Sequence, residues 1–144
     1  MQLAQLNIAH LSAPIDSPAL TDFVDNLDQI NALAEASPGF VWRLQTAQGN
    51  ATSISFYGDE IIVNLSMWAD IESLHGFVYR SVHSEIMSRR KEWFQRMTQA
   101  YQVLWWVPQG HRPSVEEADL KLQLLYDDGP TPDAFTFKHS FPAP

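Results

Sequence analysis

The sequence predicts one α+β domain in which helices pack on an antiparallel β-sheet. Segments that alternate apolar and polar residues, as strands do, are interleaved with helical segments in the order β-α-β-β-α-β. The 144 residues are 45% hydrophobic and 12% aromatic, which suits a single domain with a substantial core. We therefore expect one domain spanning 1–144, with its core at 1–107 and an added C-terminal helix and arm at 108–144.

The first strand and helix follow from the spacing of apolar residues. Residues 2–11 alternate, so that Leu6 and Ile8 share one face, and Gln5, Asn7 and Ala9 share the other. Ser17 and Pro18 favour a helix start, because serine can cap the first turn and proline is preset for it. The helix should run to about Ala36, before the breaker Ser37-Pro38-Gly39. Its expected buried stripe is Leu20, Phe23, Val24, Leu27, Ile30 and Ala34.

The middle of the chain predicts two strands, a helix and a further strand. Residues 40–45 and 61–68 are strand-like, and 46–60 are turn-like and join them as a long hairpin. Asp70 is a candidate helix N-cap, because its carboxylate can accept from the free amides of the first turn. The pattern to about Met97 is helical, in two pieces with a bend near Arg80-Ser81, and 101–107 alternates again as a strand.

The C-terminal part predicts a loop, a helix and an arm. Ser114 with Glu117 forms a capping box, which opens a last helix ending near Gly129. The tail 134–141 is expected to be a short strand or extended arm, docked on this subunit or on a neighbour. The element order is that of a ferredoxin-like fold, with two helices on one sheet face. The other face then needs a cover, and we expect a second copy to provide it in a homodimer.

Composition excludes several classes of function. Absence of cysteine removes disulfides, thiolate metal sites and thiol nucleophiles. A net charge of −8 disfavours nucleic acid as a partner, because phosphate binding needs clustered positive charge. No segment approaches the ~18 apolar residues of a membrane span, and the start lacks the order of a signal peptide. We therefore expect a cytoplasmic protein without a membrane partner.

Known cofactor and nucleophile motifs are also missing. No two histidines have metal-ligand spacing on one helix face, and no Gly-rich phosphate loop or Gly-x-Ser-x-Gly elbow is present. We therefore expect neither a metal nor a nucleotide cofactor.

The strands together predict an apolar and a polar sheet face. The apolar face should carry Leu6, Ile8, Trp42, Leu44, Ile61, Val63, Leu65, Met67, Val103 and Trp105. The polar face should carry Asn7, Arg43, Gln45, Asn64, Ser66, Gln102 and Trp106. The polar set is either a wall of a small-molecule pocket, which typically mixes apolar lining with a few polar groups, or part of a wet dimer interface.

His83 is the leading candidate for chemistry, as an imidazole that titrates near neutral pH and could abstract a proton. Tyr79, one helical turn earlier, could hydrogen-bond it or a substrate oxygen, although a structural role for His83 is equally open. Arg90 or Arg43 could hold an oxyanion, and His111 could be a pocket rim or a loop strut. Trp93, Trp105 and Trp106 could stack a planar ligand or belong to the core. The candidate substrate-binding residues are Asn7, Arg43, Asn64, Trp68, Arg90, Trp93, Trp106 and His111.

Several motifs together resemble a bacterial domain-of-unknown-function family, placed among the dimeric α/β-barrel proteins near the antibiotic-biosynthesis monooxygenases. They are Trp68, Phe77-Val78-Tyr79-Arg80-Ser81 with His83, Arg89-Arg90 with Trp93-Phe94, Leu104-Trp105-Trp106-Val107-Pro108, Gly110-His111-Arg112-Pro113, Gly129-Pro130-Thr131-Pro132 and Ala134-Phe135-Thr136-Phe137. The resemblance implies a homodimer of ferredoxin-like subunits forming a dimeric α/β barrel. It brings no assigned reaction.

Relatives in the wider superfamily include cofactor-free monooxygenases, polyketide cyclases, muconolactone isomerases and heme-degrading enzymes. The heme-degrading pattern matches only in part: Asn7 and His83 could fill two positions, but the helical tryptophan position falls near Phe77 to Tyr79. The leading expectation is a cofactor-independent enzyme acting on an aromatic or polyketide-like substrate by proton abstraction, with His83 as base. A non-catalytic dimeric small-molecule-binding module and, third, a heme-binding protein are the alternatives.

Overall fold

The structure, a computed structural model, describes residues 1–14, 16–44, 61–80, 93 and 101–144, with the backbone alone at Arg80. Strands β1 (Gln2–His10), β2 (Phe40–Arg43), β3 (Ile61–Trp68) and β4 (Gln102–Val107) form one sheet in the order β2-β3-β1-β4. Each neighbouring pair is antiparallel. The predicted hairpin at 46–60 and second helical piece beyond Arg80 lie outside the described residues.

Three helices accompany this sheet in the described residues: α1 (Thr21–Glu35), α2 (Ile71–Arg80) and α3 (Val115–Asp128). The α+β class with an antiparallel sheet is therefore confirmed. None of the described helices has the length and apolar character needed to cross a membrane.

The strand register confirms how the faces combine. Leu6 lies opposite Leu65 on β3 and Val103 on β4, which joins the apolar faces of three strands. Asn7 lies opposite Asn64 and Gln102, which joins the polar ones. Because side chains alternate along a strand, these pairs fix the orientation of every other residue in the ladder. Gln45 lies outside the described residues.

The helices divide between the two faces. Ala34 of α1 and Leu74 and Val78 of α2 pack with Leu3, Trp68 and Leu104, which lie on the polar side. Ala118, Leu122 and Leu125 of α3 pack with the apolar side. A second copy was expected to cover the face away from α1 and α2, but α3 of the same chain lies on that face, against β4 and β1. The polar face is thus the one beneath α1 and α2.

The start of α1 differs from the prediction. Residues Pro18–Leu20 form a 3₁₀ turn before the α-helix, with proline at its start as expected. The side chain of Ser17 makes no capping hydrogen bond: its hydroxyl is buried and has no hydrogen-bond partner among the described residues. The tighter turn explains this, because the Ser17 carbonyl, rather than its hydroxyl, accepts from the Leu20 amide. Val24 was expected in the buried stripe but is 39% exposed.

The caps of the other two helices are confirmed. Asp70 accepts at Oδ1 from the Ser73 amide (2.8 Å), which satisfies one free donor of the first turn of α2. Ser114 Oγ accepts from the Glu117 amide (3.1 Å) at the start of α3. At the other end of α3, the Gly129 amide donates to the Leu125 carbonyl (3.0 Å), where the sequence predicted a stop.

The C-terminal arm docks on its own chain, the first of the two alternatives that the sequence left open. Phe135 pairs with Leu104 through two backbone hydrogen bonds of 2.8 and 2.9 Å. Further along, the Trp106 indole donates to the Phe141 carbonyl (2.9 Å). β4 is an edge strand of the sheet, so the arm covers backbone groups that would otherwise be open to another strand.

Candidate functional site

A band of polar side chains crosses the middle of the sheet face beneath α1 and α2. We call it the polar band: Gln5, Asn7, Asn64, Ser66 and Gln102. Its members come from three strands and meet because Gln5 lies opposite Ser66, and Asn7 opposite both Asn64 and Gln102. All five were expected on this face, Gln5 through its shared parity with Asn7, and Asn7 and Asn64 were candidate substrate contacts.

Hydrogen bonds link four members of the polar band in a chain. Gln102 Nε2 donates to Gln5 Oε1 (3.2 Å). Gln5 Nε2 in turn donates to Asn64 Oδ1 (2.6 Å) and to Ser66 Oγ (3.0 Å). Ser66 Oγ also accepts from the Trp68 indole (3.0 Å). Gln5 is the central member, since both its amide hydrogens and its oxygen are engaged.

The polar band is buried on one side and open on the other. Gln5 is 4% exposed and Ser66 5% exposed, the two buried polar residues among those described. Asn7 and Gln102 are half-buried, and Asn64 is exposed. No described residue donates to or accepts from the carboxamide of Asn7. The band therefore combines a fixed, buried base with a rim at which amide groups are accessible.

Apolar clusters flank the polar band at both ends. At one end, Leu3, Trp68 and Leu104 pack with α1, α2 and Phe135 of the arm. At the other end, Leu11 and Ile62 pack with Phe23 and Trp93. A few polar groups between apolar walls is the usual composition of a small-molecule site.

The polar band is uncharged, since all five members are neutral amides or a hydroxyl. The described cation beside it, Arg43, lies opposite Ser66 at the β2 edge. Its Nε donates to Glu35 Oε1 at 2.8 Å, so its charge is paired with a carboxylate of α1. Arg43 was a candidate oxyanion holder, and in the structure it holds an acidic side chain of its own chain.

The candidate aromatic residues occupy different places. Trp68 is 1% exposed, stacks on Phe77 and contacts Phe40, so it forms the wall behind Ser66. Trp93 is also 1% exposed and its ring contacts Phe23 at 5.5 Å. Trp106 lies on the same face, opposite Leu3, and its indole is engaged by the arm.

Tyr79 lies at the surface, 56% exposed. Its ring contacts His75 (4.5 Å) and Phe137 of the arm (6.0 Å). His83, which was expected one turn further on, lies outside the described residues, as does Arg90.

His111 lies on the opposite side of the sheet, with α3. Its Nε2 contacts Glu117 Oε1 at 2.7 Å, and the other carboxylate oxygen accepts from the Trp105 indole at 3.2 Å. This geometry supports the strut interpretation, in which the loop is tied to the first turn of α3 and to β4. It does not join His111 to the polar band.

Gln5 is the residue that sequence reasoning placed on the correct face without assigning it a role. The available signal was its shared parity with Asn7 on β1. The hydrogen bonds of Gln5 depend on the strand register. Gln5 lies opposite Ser66 and Leu104, and this pairing brings the amides of Asn64 and Gln102 within its reach. Among the described residues, no group of three or more His, Asp or Glu side chains could hold a metal ion.

Comparisons with known proteins give a family and a remote structural likeness. A family model described as a domain of unknown function, DUF3291, matches residues 2–144. A search of curated proteins found no match. Among solved structures, a protein of unknown function from Nitrosomonas europaea is similar at 15% identity, with 78% of this chain and 93% of that chain covered and a TM-score of 0.48.

Proposed function

The chain belongs to the DUF3291 family, and we propose that it binds a small, largely hydrophobic molecule on the polar band, between the sheet and its helices. The observation that carries this proposal is the hydrogen-bonded chain through Gln5, open at Asn64 and flanked by apolar clusters. Burying an amide group costs free energy unless the group is hydrogen-bonded. At a position with only a structural role, an apolar side chain would avoid this cost. A ligand that uses the rim amides accounts for them.

Asn7 supports the same proposal. Its carboxamide is half-buried and has no partner in the described part of the chain, whereas its neighbours on the band are bonded to one another. An amide without a hydrogen-bond partner in the protein indicates a role in binding rather than in stability, because a ligand can provide the missing hydrogen bonds.

In its enzymatic form, the proposal is that the bound molecule is aromatic or polyketide-like and is turned over without a metal or nucleotide. Asn7 and Asn64 then orient the substrate, and His83 abstracts the proton, as the sequence predicts. The described amides have no acid–base function near neutral pH, so catalysis depends on a residue such as His83. Binding without turnover is the form that the polar band alone supports.

The binding proposal is tested by screening aromatic fragments with saturation-transfer NMR and repeating the screen on Asn7→Val. Fragments that bind the polar band should lose ~10-fold in affinity, the effect of one hydrogen bond. The matched control is Gln123→Val, which removes a carboxamide from α3 on the other side of the sheet. A screen without hits, or hits that ignore Asn7→Val, would contradict the proposal.

The enzymatic form is tested with His83→Ala on any fragment-derived substrate. An enzyme should lose turnover and keep its affinity, whereas a binding module has no turnover to lose. Heme has less support, because the helical tryptophan position falls near Phe77 to Tyr79, where the chain has no tryptophan, and Trp68 is buried on β3. An absorption spectrum with added hemin checks this: a Soret band that disappears in His83→Ala would favour heme instead.

We also propose a ferredoxin-like core, a homodimer of the dimeric α/β-barrel kind and a cytoplasmic location. The strand order β2-β3-β1-β4, with helices between β1 and β2 and between β3 and β4, supports the first. Two exposed leucines on α3, Leu120 and Leu124, support an interface.

A further inference from the structure

We infer that the polar band selects an uncharged ligand that carries a hydrogen-bond acceptor, such as a ketone, ester, amide or quinone carbonyl, and receives it at Asn64 Nδ2. The inference rests on the proposed function and names the ligand chemistry of that same site.

The direction of the hydrogen bond between Gln5 and Asn64 fixes the orientation of the Asn64 carboxamide. Gln5 Nε2 donates to Asn64 Oδ1 at 2.6 Å, which occupies the carbonyl end of that side chain. The amide end of Asn64 is therefore the end turned away from Gln5, and it donates to no described residue. Because Asn64 is exposed, its two N–H groups are accessible to a ligand. What Asn64 offers at the rim is a donor.

Ser66, like Asn64, presents a hydrogen-bond donor. Its oxygen accepts from both Gln5 Nε2 and the Trp68 indole at 3.0 Å, which uses both of its lone pairs. The hydroxyl hydrogen is what remains, so the β3 side of the polar band presents donors. A ligand group that meets this side must accept.

Gln5 acts here as a positioning residue. It is held in turn by Gln102, whose Nε2 donates to Gln5 Oε1 at 3.2 Å, so the amide of Gln5 points its hydrogens towards β3. Neither Gln5 nor Ser66 is exposed enough to be the main contact, and their role is to fix which end of Asn64 faces the ligand.

A neutral carbonyl and a carboxylate both accept hydrogen bonds, and the charges around the polar band distinguish between them. An anion that leaves water needs a cation to offset its lost hydration. The described polar band supplies none, and Arg43 beside it is bonded to Glu35. The chain as a whole carries a net charge of −8 and repels anions at a distance. An uncharged carbonyl is therefore the acceptor that fits the described part of this face.

The test compares three probes of one shape: 2-acetylnaphthalene, 2-ethylnaphthalene and 2-naphthoate, titrated at pH 7 into ¹⁵N-labelled protein. The Trp68 indole resonance reports on the site, because its N–H donates to Ser66 beside Asn64. We expect the ketone to shift this resonance and to bind ~10-fold more tightly than the hydrocarbon, as one hydrogen bond allows, and more tightly than the anion.

The variant is Asn64→Asp, which keeps an oxygen for Gln5 but replaces the outward amide with a second oxygen. It should lose ~10-fold or more in affinity for 2-acetylnaphthalene. The N–H donor is replaced by a carboxylate oxygen, which repels the ketone oxygen of the ligand. Gln123→Glu adds the same charge on an exposed position of α3 and should leave binding unchanged.

The outcomes separate the two proposals. If the ketone binds best and depends on Asn64, the inference holds. If the hydrocarbon or naphthoate binds as tightly, or if Asn64→Asp binds the ketone normally while Trp68 still shifts, the site is real and the selectivity inferred here is wrong. If no probe shifts Trp68 in the wild-type protein, the proposed function at this face fails with it.

Discussion

At the scale of single residues, Gln5 has the largest predicted effect on the polar band. Gln5→Met keeps the length of the side chain but leaves Gln102 without an acceptor and Asn64 without a donor. We expect a loss of about 1–3 kcal/mol in the free energy of unfolding, because buried amides lose their partners. Urea denaturation measures this. Gln123→Met, at an exposed position, should change stability by less than ~0.5 kcal/mol.

The second prediction at the scale of single residues concerns a substitution of Gly39. Its φ is +81°, and a Cβ there would overlap Ser73 Oγ, whose hydroxyl donates to the cap residue Asp70. Gly39→Ala should therefore lower the free energy of unfolding by about 2 kcal/mol or more through backbone strain and displacement of the cap. Gly76→Ala is the matched control, since a Cβ there meets nothing within 4 Å. It should raise stability by ~0.5–1 kcal/mol as helix propensity improves.

At the scale of elements, the first turn of α3 is fastened to the sheet through Glu117. The carboxylate contacts His111 Nε2 and the Trp105 indole, while its amide is capped by Ser114. Glu117→Ala should cost about 1–2 kcal/mol, because a buried indole N–H loses its acceptor. Glu116→Ala, in the same turn but exposed, should cost only the helix-dipole contribution of ~0.3–0.5 kcal/mol. Thermal unfolding of both variants compares them, and equal losses would refute the fastening role.

The arm is the second element with a measurable contribution. Phe135 is fully buried against β4, whereas Phe137 is half-buried and touches the exposed rings of His75 and Tyr79. Phe135→Ala should lower the free energy of unfolding by about 3–5 kcal/mol, the cost of a large cavity. Phe137→Ala should cost clearly less. If the order were reversed, the arm would be anchored on α2 rather than on the sheet edge.

At the scale of the whole molecule, some of the architecture was predictable and some was not. Strand bounds and faces followed from alternation, which is why β3 begins at Ile61 and ends at Trp68 as expected. The hydrogen bonds of Gln5 were not predictable, because cross-strand contacts depend on register, which one strand does not encode. The sequence did not predict which sheet face α3 covers, because both faces offer apolar partners to a helix.

The homodimer is the prediction that concerns the whole molecule. α3 lies on the sheet face away from α1 and α2, which a second copy was expected to cover, so an interface on that side must include the outer surface of α3. Leu120 and Leu124, one turn apart, are 66% and 37% exposed there. Two copies each carrying a net charge of −8 repel one another, and salt screens this repulsion. Light scattering should therefore give twice the 16.4 kDa of one chain, with more dimer at ~150 mM than at ~10 mM salt.

Leu120→Glu tests this interface directly. It should shift the protein towards the monomer, because it removes apolar area and adds charge where two copies would meet. Gln123→Glu adds the same charge on the same helix without removing apolar surface, so it should weaken association less. A dimer that is unaffected by Leu120→Glu would place the interface elsewhere. A wild-type protein that stays monomeric at both salt concentrations would remove the dimer, and the polar band would then have to bind its ligand within one chain.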